Sequence, residues 1–532
     1  MKRVRAFRAV EGNCLDATSA AHLLSRVGFG GTPEEIQRLV DVPVDQAVAW
    51  LLDAAEAAEP PQPPAWVRSP WVNTERRFAD TPREESAENH RNTRRRYASE
   101  MNDLRSWWLG QMIASETPLR EVMTLFWHGH FTSANDKVGI SQAMYEQNAT
   151  LRRHALGNFR TLLGDITRDA AMMMYLDLED SDAQQPNENY ARELFELFTL
   201  GIGHYTERDI QETARALTGW TLDVPPGVAK PDRPTEPGTP RNFSRDGLHP
   251  TFVPDRHDDG EKTIFGQSGR FGLEDVLDLV VSREETALHL ATRLIDFFGV
   301  SDPEGTLRPR LAAAFRESEF EIRPVLLALF TAPECYDESS RGTLIKSPVR
   351  LLVGACRQLR LEVEPTPSLA ELTAAMGQAL FDPPNVKGWP GGRAWIGSGT
   401  LAVRYQLADA LLESRIPAGL EPIGFDRFLL VPRDPSQMQE RMERMEQAMA
   451  DRSTERNKDG IKTRFDADSL FPDGPPESPV ALVDAMLDRL IVTSVRETTR
   501  KGLIRACQTA PAADRPAVVA RLILASPEFQ MA

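Results

Sequence analysis

Cysteine is scarce in this sequence. Cys14, Cys335, Cys356 and Cys507 are its only four, they lie far apart, and they form no C-x-x-C pair. Reduced thiols in a cytoplasmic protein are the plain reading, and Cys356 falls on the apolar stripe Val349, Leu352, Val353, Leu359, which predicts a buried, inert side chain. Long apolar runs are missing as well. None approaches the roughly 18 residues of a spanning helix, and "VLLALF" (325–330) is a short core segment. The opening "MKRVRAFRAVEGNCLD" has the positive charge of a signal peptide but no apolar region after it, so no export signal is legible and the chain reads as cytoplasmic. Positive charge is in deficit: 62 Lys and Arg against 78 Asp and Glu leave a net −16, which argues against nucleic acid and against an anionic membrane surface. No series of alternating β-branched runs predicts a sheet.

Helix signals are abundant. At 41% hydrophobic the chain has ample material for a core. "GTPEEIQRLV" places Thr32 as N-cap, Pro33 at N1 and acids in the first turn, and "KSPVRLLVGACRQL" repeats the pattern with Ser347 and Pro348. "HYTERDIQETARALTGW" has Thr206 as cap, Asp209 three residues on and Gly219 as a stop. The fold class is therefore all-α, a large multi-helix body. Residues 54–100 (Pro-rich, then densely charged), 222–255 (Pro-rich) and 433–478 (a charged helix "MQERMERMEQAMADR" with a polar tail) read as linkers or long loops, leaving 479–532 as a C-terminal helical segment. "IRPVLLALFTAPECY" (322–336) is echoed by "DRPAVVARLILASPEFQ" (514–530), and both follow a helix with a Leu-Ile pair, the mark either of an old helical duplication or of common helix grammar.

Three segments carry chemistry. "FWHGHFTS" (126–133) pairs His128 and His130 in a chain with only nine histidines. With Thr117 as cap, Pro118 at N1 and Gly129 as C′, the helix ends between the two rings, and the glycine lets them converge on a metal ion. The plain alternative is a His128 favoured by the helix C-terminus and a His130 packed on Phe126 and Phe131. In "NENYARELFELFTLG" (187–201), Tyr190, Ala191, Leu194, Phe195, Leu197 and Phe198 share one face of a helix. Glu193 and Glu196 are i, i+3 neighbours on the other side, with Arg192 placed to balance them. "DRHDDGEKTIFG" (255–266) offers His257, Asp258 and Asp259 in a turn, with Lys262 just beyond. "VGFGGTPEE" (27–35) lacks the preceding strand and following Lys-Ser/Thr of a phosphate loop and reads as a tight helix–helix turn, and "FDPPNVKGWPGGRAWIG" (381–397) reads as a rigid packed loop.

These pieces, with "AAHLLSRVGFGGTPEE", "LRRHALGNFRTLLGDITRDAAMMMYLD", "IKSPVRLLVGA", "MGQALFDPPNVKGWPGGRAWI" and "LILASPEFQ", occur in an order that resembles the bacterial domain-of-unknown-function 1800 family over essentially residues 20 to 530, so that 1–532 is one family-wide unit. The resemblance implies a mostly helical fold with the H-x-H, N-E-N-x-A-R-E and H-D-x-G-x-K segments as signatures. It also implies a partner, since genes of this family often stand beside genes for the domain-of-unknown-function 1501 family, whose members look like phosphatases and sulfatases. Many relatives carry export signals, which this sequence does not show.

The expectation that follows is a metal-dependent enzyme, hydrolytic or oxidative. Zn²⁺ or Fe²⁺ would sit on His128, His130 and His257 with Glu193 or Asp258, Glu193 or Glu196 would act as general base, and Lys262 or Arg192 would stabilise substrate charge. The alternative is a non-catalytic helical partner whose polar segments are buried structural networks.

Overall fold

The capping signals of the sequence set most helix starts. In the computed structural model, which describes residues 14–68, 83–223, 248–414, 460–471 and 474–532, Thr32 and Glu35 form a reciprocal capping box at the Pro33–Leu39 helix, and Thr206 and Asp209 form another at Glu207–Ala216. Ser347 Oγ accepts the Arg350 N–H at the start of Pro348–Gln358. Each cap satisfies an otherwise orphaned N–H, worth about 1 kcal/mol. The "GFGG" stretch is the turn between the Ala17–Val27 and Pro33–Leu39 helices. Gly30 sits there at φ +107° with Gln358 so close that a Cβ would lie 2.9 Å from its amide carbon.

The fold is predominantly helical, with only small two-stranded sheets and isolated bridges as extended pairing among the described residues. Three antiparallel pairs occur: Trp220–Asp223 with His249–Phe252, Lys262–Ile264 with Gln267–Gly269, and Glu362–Glu364 with Lys462–Arg464. Strands of three or four residues are too short to show an alternating pattern, which is why the sequence did not disclose them. The first pair pins both ends of the Pro-rich segment, whose residues 224–247 lie outside the described residues. The third brings residues 462–464 back onto the body; the charged helix "MQERMERMEQAMADR" expected within 433–478 also lies outside the described residues.

Within the segment 54–100, expected to be a linker or long loop, the described residues from 83 on are helical. Residues 83–100 open a 32-residue helix, Arg83–Ala114. Its later turns bury Met101, Leu104, Trp108 and Met112, and that packing carries the polar turns ahead of it as helix. Around this rod pack Pro118–His130, Ser141–Arg153, Pro348–Gln358 and Pro367–Ala375, within one continuous buried cluster that runs from Leu15 to Phe529. The 322–336 and 514–530 echo is repeated in structure. Glu284–Phe298, Leu307–Glu317 and Ile322–Thr331 precede one Pro-Glu turn; Pro479–Leu490, Glu497–Thr509 and Arg515–Leu524 precede the other. No described helix is long and apolar enough to cross a membrane.

A buried ion pair locks the central helices. Arg152 holds Glu121 through Nε and Nη2 at 2.8 and 3.0 Å, Trp108 Nε1 donates to the same carboxylate at 2.8 Å, and Arg152 Nη1 donates to Asn148 at 2.6 Å. Removing one charge strands the other in the interior. Glu121→Gln is expected to cost about 3 kcal/mol or more in urea denaturation, and a loss below about 1 kcal/mol would mean that the pair behaves as a surface bridge.

Candidate functional site

The H-x-H pair stands at the end of an unbroken helix. Pro118–His130 runs through Gly129, and the Phe131 N–H closes it on the Trp127 carbonyl at 2.7 Å. The expected break at Gly129 is absent, because Trp127, Phe131 and their aromatic neighbours bury the last turn and hold it helical. At 100° per residue, rings two apart point about 200° from one another, and the two imidazoles face opposite walls of the core. His128 packs against Trp108, Phe381 and Trp389, at 5.2, 5.1 and 5.5 Å between ring centres, and its Nε2 accepts the Phe381 N–H at 3.1 Å. His130 stacks among Phe126, Phe131 and Phe198, and its Nε2–H donates to the Phe198 carbonyl at 3.0 Å. The protons are thus on Nδ1 of His128 and Nε2 of His130. Burial draws the His128 pKa down to about 3; His130 also falls well below the ordinary histidine range, through burial and then the nearby Arg293 and His289.

Each ring fastens a different segment. On the His128 side lies the loop that begins at Phe381. Gly388 adopts φ +79° and approaches so closely that a Cβ there would lie 2.7 Å from the Gly129 carbonyl oxygen, while Thr132 Oγ1 donates to the Val386 carbonyl. This loop carries Asp382, which takes Arg105 and the Asp136 N–H (3.2 Å), and Lys387. On the His130 side lies "NENYARELFELFTLG". Its Glu188–Glu193 α-helix passes into a π-helix, Leu194–Thr199. The Phe195 carbonyl there accepts both the Leu200 and Gly201 N–H groups at 2.9 and 3.0 Å, and Thr199 Oγ1 donates to the Leu194 carbonyl at 2.5 Å. Helix ends leave carbonyls without partners. His289 Nε2–H takes that of Leu197 at 2.9 Å, and His130 that of Phe198. A π-helix is uncommon, and such turns occur often at functional sites.

The apolar face read from the sequence is confirmed: Tyr190, Ala191, Leu194, Phe195 and Phe198 are buried and Leu197 packs partly exposed against them. On the other side Glu196 meets Lys387 Nζ at 3.5 Å and accepts the Tyr205 hydroxyl at 3.3 Å. Glu193 is half-buried and makes no hydrogen bond or ion pair with the described residues. Burial, then the Glu196 charge, push its carboxyl above the usual range, with Lys387 and Arg192 opposing. Beside it the Tyr175 phenol is raised by burial and by Asp136, Glu193 and Asp382. Lys137 binds Asp177 at 2.9 Å and the Tyr175 carbonyl at 2.7 Å, and Asn189 Nδ2 donates to Asp177 at 3.1 Å. Residues from 135–137, 175–177, 188–196, 205 and 382–387 therefore form one polar face.

Arg192 opposes the rise of the Glu193 carboxyl but makes no ion pair with either glutamate. Its guanidinium forks onto Glu207 at 2.8 Å through both Nη atoms and reaches Glu188 at 3.2 Å; Lys387, unforeseen from the sequence, holds the place beside Glu196. The "HDDGEK" turn forms a second network on the Glu207–Ala216 helix. Arg215 forks onto Asp258 at 2.7 and 3.2 Å and pairs with Glu212 at 2.7 Å, which draws the Asp258 carboxyl below its usual range. His257 Nδ1–H donates to the Thr218 carbonyl at 2.9 Å. Lys262 is buried and its ammonium donates to the carbonyls of Asp258 and Gly260. His128, His130, His257, Glu193 and Asp258 are not brought together, and no three His, Cys, Asp or Glu side chains converge on an ion position among the described residues. Tyr175, Tyr205, His289, Asp382 and Lys387 were missed. Apart from His289 they lie inside motifs already singled out, which was the available signal.

Residues 22–531 match the model of a family described as "Protein of unknown function (DUF1800)". The chain belongs to this family. No curated protein and no solved structure matches it. The DUF1800 segments thus meet in two polar networks, one around Glu193 and Glu196 and one around Arg215 and Asp258.

The tethers are sensitive to acid. His128 is neutral when folded and would gain a proton near pH 6.5 when unfolded, so below that pH the unfolded state binds more protons and stability falls as pH drops toward the folded pKa of about 3. The stabilisation is complete above about pH 6.5, and its loss approaches roughly 1.4 kcal/mol per pH unit per such histidine. Urea denaturation between pH 7.5 and 4.5 is expected to show this slope, and His128→Gln, which keeps an acceptor without titrating, is expected to flatten it. An unchanged slope in the variant would place the acid sensitivity elsewhere.

Proposed function

We propose that this chain is a hydrolytic enzyme working by carboxylate acid–base chemistry at the Glu193–Glu196 face. The observation that carries the reading is the difference between two neighbouring glutamates where the α-helix passes into the π-helix. Glu193 is half-desolvated with its carboxyl raised, and Glu196 stands beside Lys387 and the Tyr205 hydroxyl. Pairs of carboxylates in unequal surroundings divide acid and base roles. Glu193 is the proton donor to the leaving group, Glu196 takes a proton from water, and Lys387 offsets negative charge that develops on the substrate. Tyr205 orients Glu196. Lys262 and Arg192 have no part in this scheme, since their donors are engaged elsewhere.

Counting Asp136, Asp177 and Asp382 with Glu193 and Glu196, carboxylates outnumber the Lys137, Arg105 and Lys387 cations paired with them, and the net negative field repels anions. It favours uncharged or cationic substrates over phosphate and sulfate esters. The metal-dependent form expected from the sequence, with Zn²⁺ or Fe²⁺, would require His128 and His130 to leave the Phe381 N–H and the Phe198 carbonyl and turn toward each other. The carboxylate pair needs no such rearrangement.

A panel of neutral 4-nitrophenyl esters and glycosides, beside 4-nitrophenyl phosphate and sulfate, tests the reading. Turnover is expected among the neutral substrates, with Glu193→Gln and Glu196→Gln each lowering kcat/KM by about 10²–10⁴. Elemental analysis of the same preparations is the companion measurement. Near-stoichiometric Zn or Fe, lost in a folded His128→Ala, His130→Ala double variant, would overturn the metal-free scheme. A panel without turnover would favour the non-catalytic reading, in which this face docks the phosphatase- or sulfatase-like partner.

A further inference from the structure

The Pro118–His130 helix meets a cavity at its other end, about 18 Å along the axis from His130. The cavity, about 210 Å³ in volume, lies between the Pro-rich stretch after Val44–Ala57 and the turn that joins Arg83–Ala114 to Pro118–His130. Its floor is the Glu121–Arg152 pair, both side chains buried. Gln111, Thr117 and Arg120 line its wall, and the exposed Glu59 and Glu116 stand at its mouth. Cavities that stay empty are lined by apolar groups. This one is walled by charge and by hydrogen-bonding side chains.

Several of these groups have no partner in the chain. Arg120 donates through Nη1 to the Ala58 carbonyl and through Nε to that of Arg152 at 3.4 Å, which leaves Nη2 without a bond to a described residue. The Gln111 amide and the Thr117 hydroxyl make none either, and Thr117 does not cap the helix it precedes. Burial, then Arg152, draw the Arg120 pKa down, with Glu121 and Glu59 opposing. The Glu59 carboxylate is thus close enough to act on the guanidinium, yet neither it nor Glu116 forms an ion pair with a described residue. The start of Pro118–His130 adds positive potential beside Arg120. At the end of Arg83–Ala114 the Ile113 and Ser115 carbonyls are taken by Arg357 at 3.0 and 2.6 Å, so the negative charge at the mouth is that of the two glutamates. The cavity is therefore positive along its wall and negative at its mouth.

We infer that this cavity binds a small zwitterion, a free α-amino acid with a short side chain, its carboxylate on Arg120 Nη2 and its ammonium toward Glu59 and Glu116. A lone anion would have to pass two carboxylates, and a lone cation would face Arg120. A molecule with both charges answers each end. The volume equals the share of about seven water molecules, which suits a free amino acid and excludes a peptide. Ala58, Pro61 and Ala114 supply the small apolar surface that such a side chain needs. Gln111 and Thr117 are placed to hydrogen-bond the ligand beside Arg120. The site is independent of the Glu193–Glu196 reading.

Thermal unfolding of the full chain with each free proteinogenic amino acid, at matched pH and ionic strength, tests the inference. A ligand that binds only the folded state raises Tm with concentration. At about 10 mM, enough to load a millimolar site, at least one amino acid with a short side chain is expected to raise Tm by about 1 °C or more. The amide of that amino acid lacks the carboxylate and its deaminated acid lacks the ammonium; each is expected to bind about tenfold more weakly or worse. Arg120→Met is expected to lose the response. So is Ala114→Trp, which fills the cavity from an exposed position. No shift with any amino acid, analogues that act as well as the parent, or a response that survives Ala114→Trp would overturn the inference. Equilibrium dialysis of the unaltered protein against the labelled amino acid gives a reading independent of the variants' folding: one molecule per chain supports the site, and none refutes it.

Discussion

A neutral imidazole has one donor and one acceptor, and the end of the Pro118–His130 helix uses one of each. His128 accepts from the Phe381 N–H and His130 donates to the Phe198 carbonyl, so the same helical turn secures two segments that are far apart in sequence. Protonation would give His128 a second N–H where it now accepts, and would put a charge into an aromatic core. The arrangement depends on both rings staying uncharged, and burial supplies that condition.

The π-turn depends on the same contact. Widening a helix by one residue per turn disturbs its carbonyl ladder, and a buried carbonyl needs a partner. His130 and His289 supply N–H groups to two successive carbonyls, Phe198 and Leu197. With the turn held, Glu193 and Glu196 remain on its outer side and Lys387 reaches Glu196 from the loop that His128 anchors. The two histidines thus act on the glutamates through the backbone. The "HDDGEK" turn follows a similar economy: Lys262, Thr218 and Arg215 bind its backbone and its aspartate, and His257 closes onto a carbonyl.

The repeated order of three helices and a Pro-Glu turn gives the C-terminal half its form, and Arg26 joins both copies, bonding Phe298 and Ser340 in one and Ala532 at the end of the other. An N-terminal helix thereby fixes two units that follow it by hundreds of residues. The Arg26 side chain is fully buried.

The sequence by itself determined what depends on neighbours a few residues away. Thr32, Thr206 and Ser347 mark helix starts because a cap reaches only two or three residues, and the periodicity around Tyr190–Phe198 reveals the buried face because a helix repeats every 3.6 residues. The ordered motifs over essentially residues 20 to 530 also revealed the family, whose model matches residues 22–531. Only the tertiary structure decided where polar side chains meet. Whether the helix stops at Gly129 or runs on to His130 is settled by the aromatic packing around Trp127, and that choice sends the two rings apart. Whether Arg192 or Lys387 stands beside Glu196 is settled by a loop almost two hundred residues downstream. Such pairings leave no local trace, because a hydrogen bond or an ion pair requires two groups within a few ångströms, and the chain between them places no constraint on its own composition.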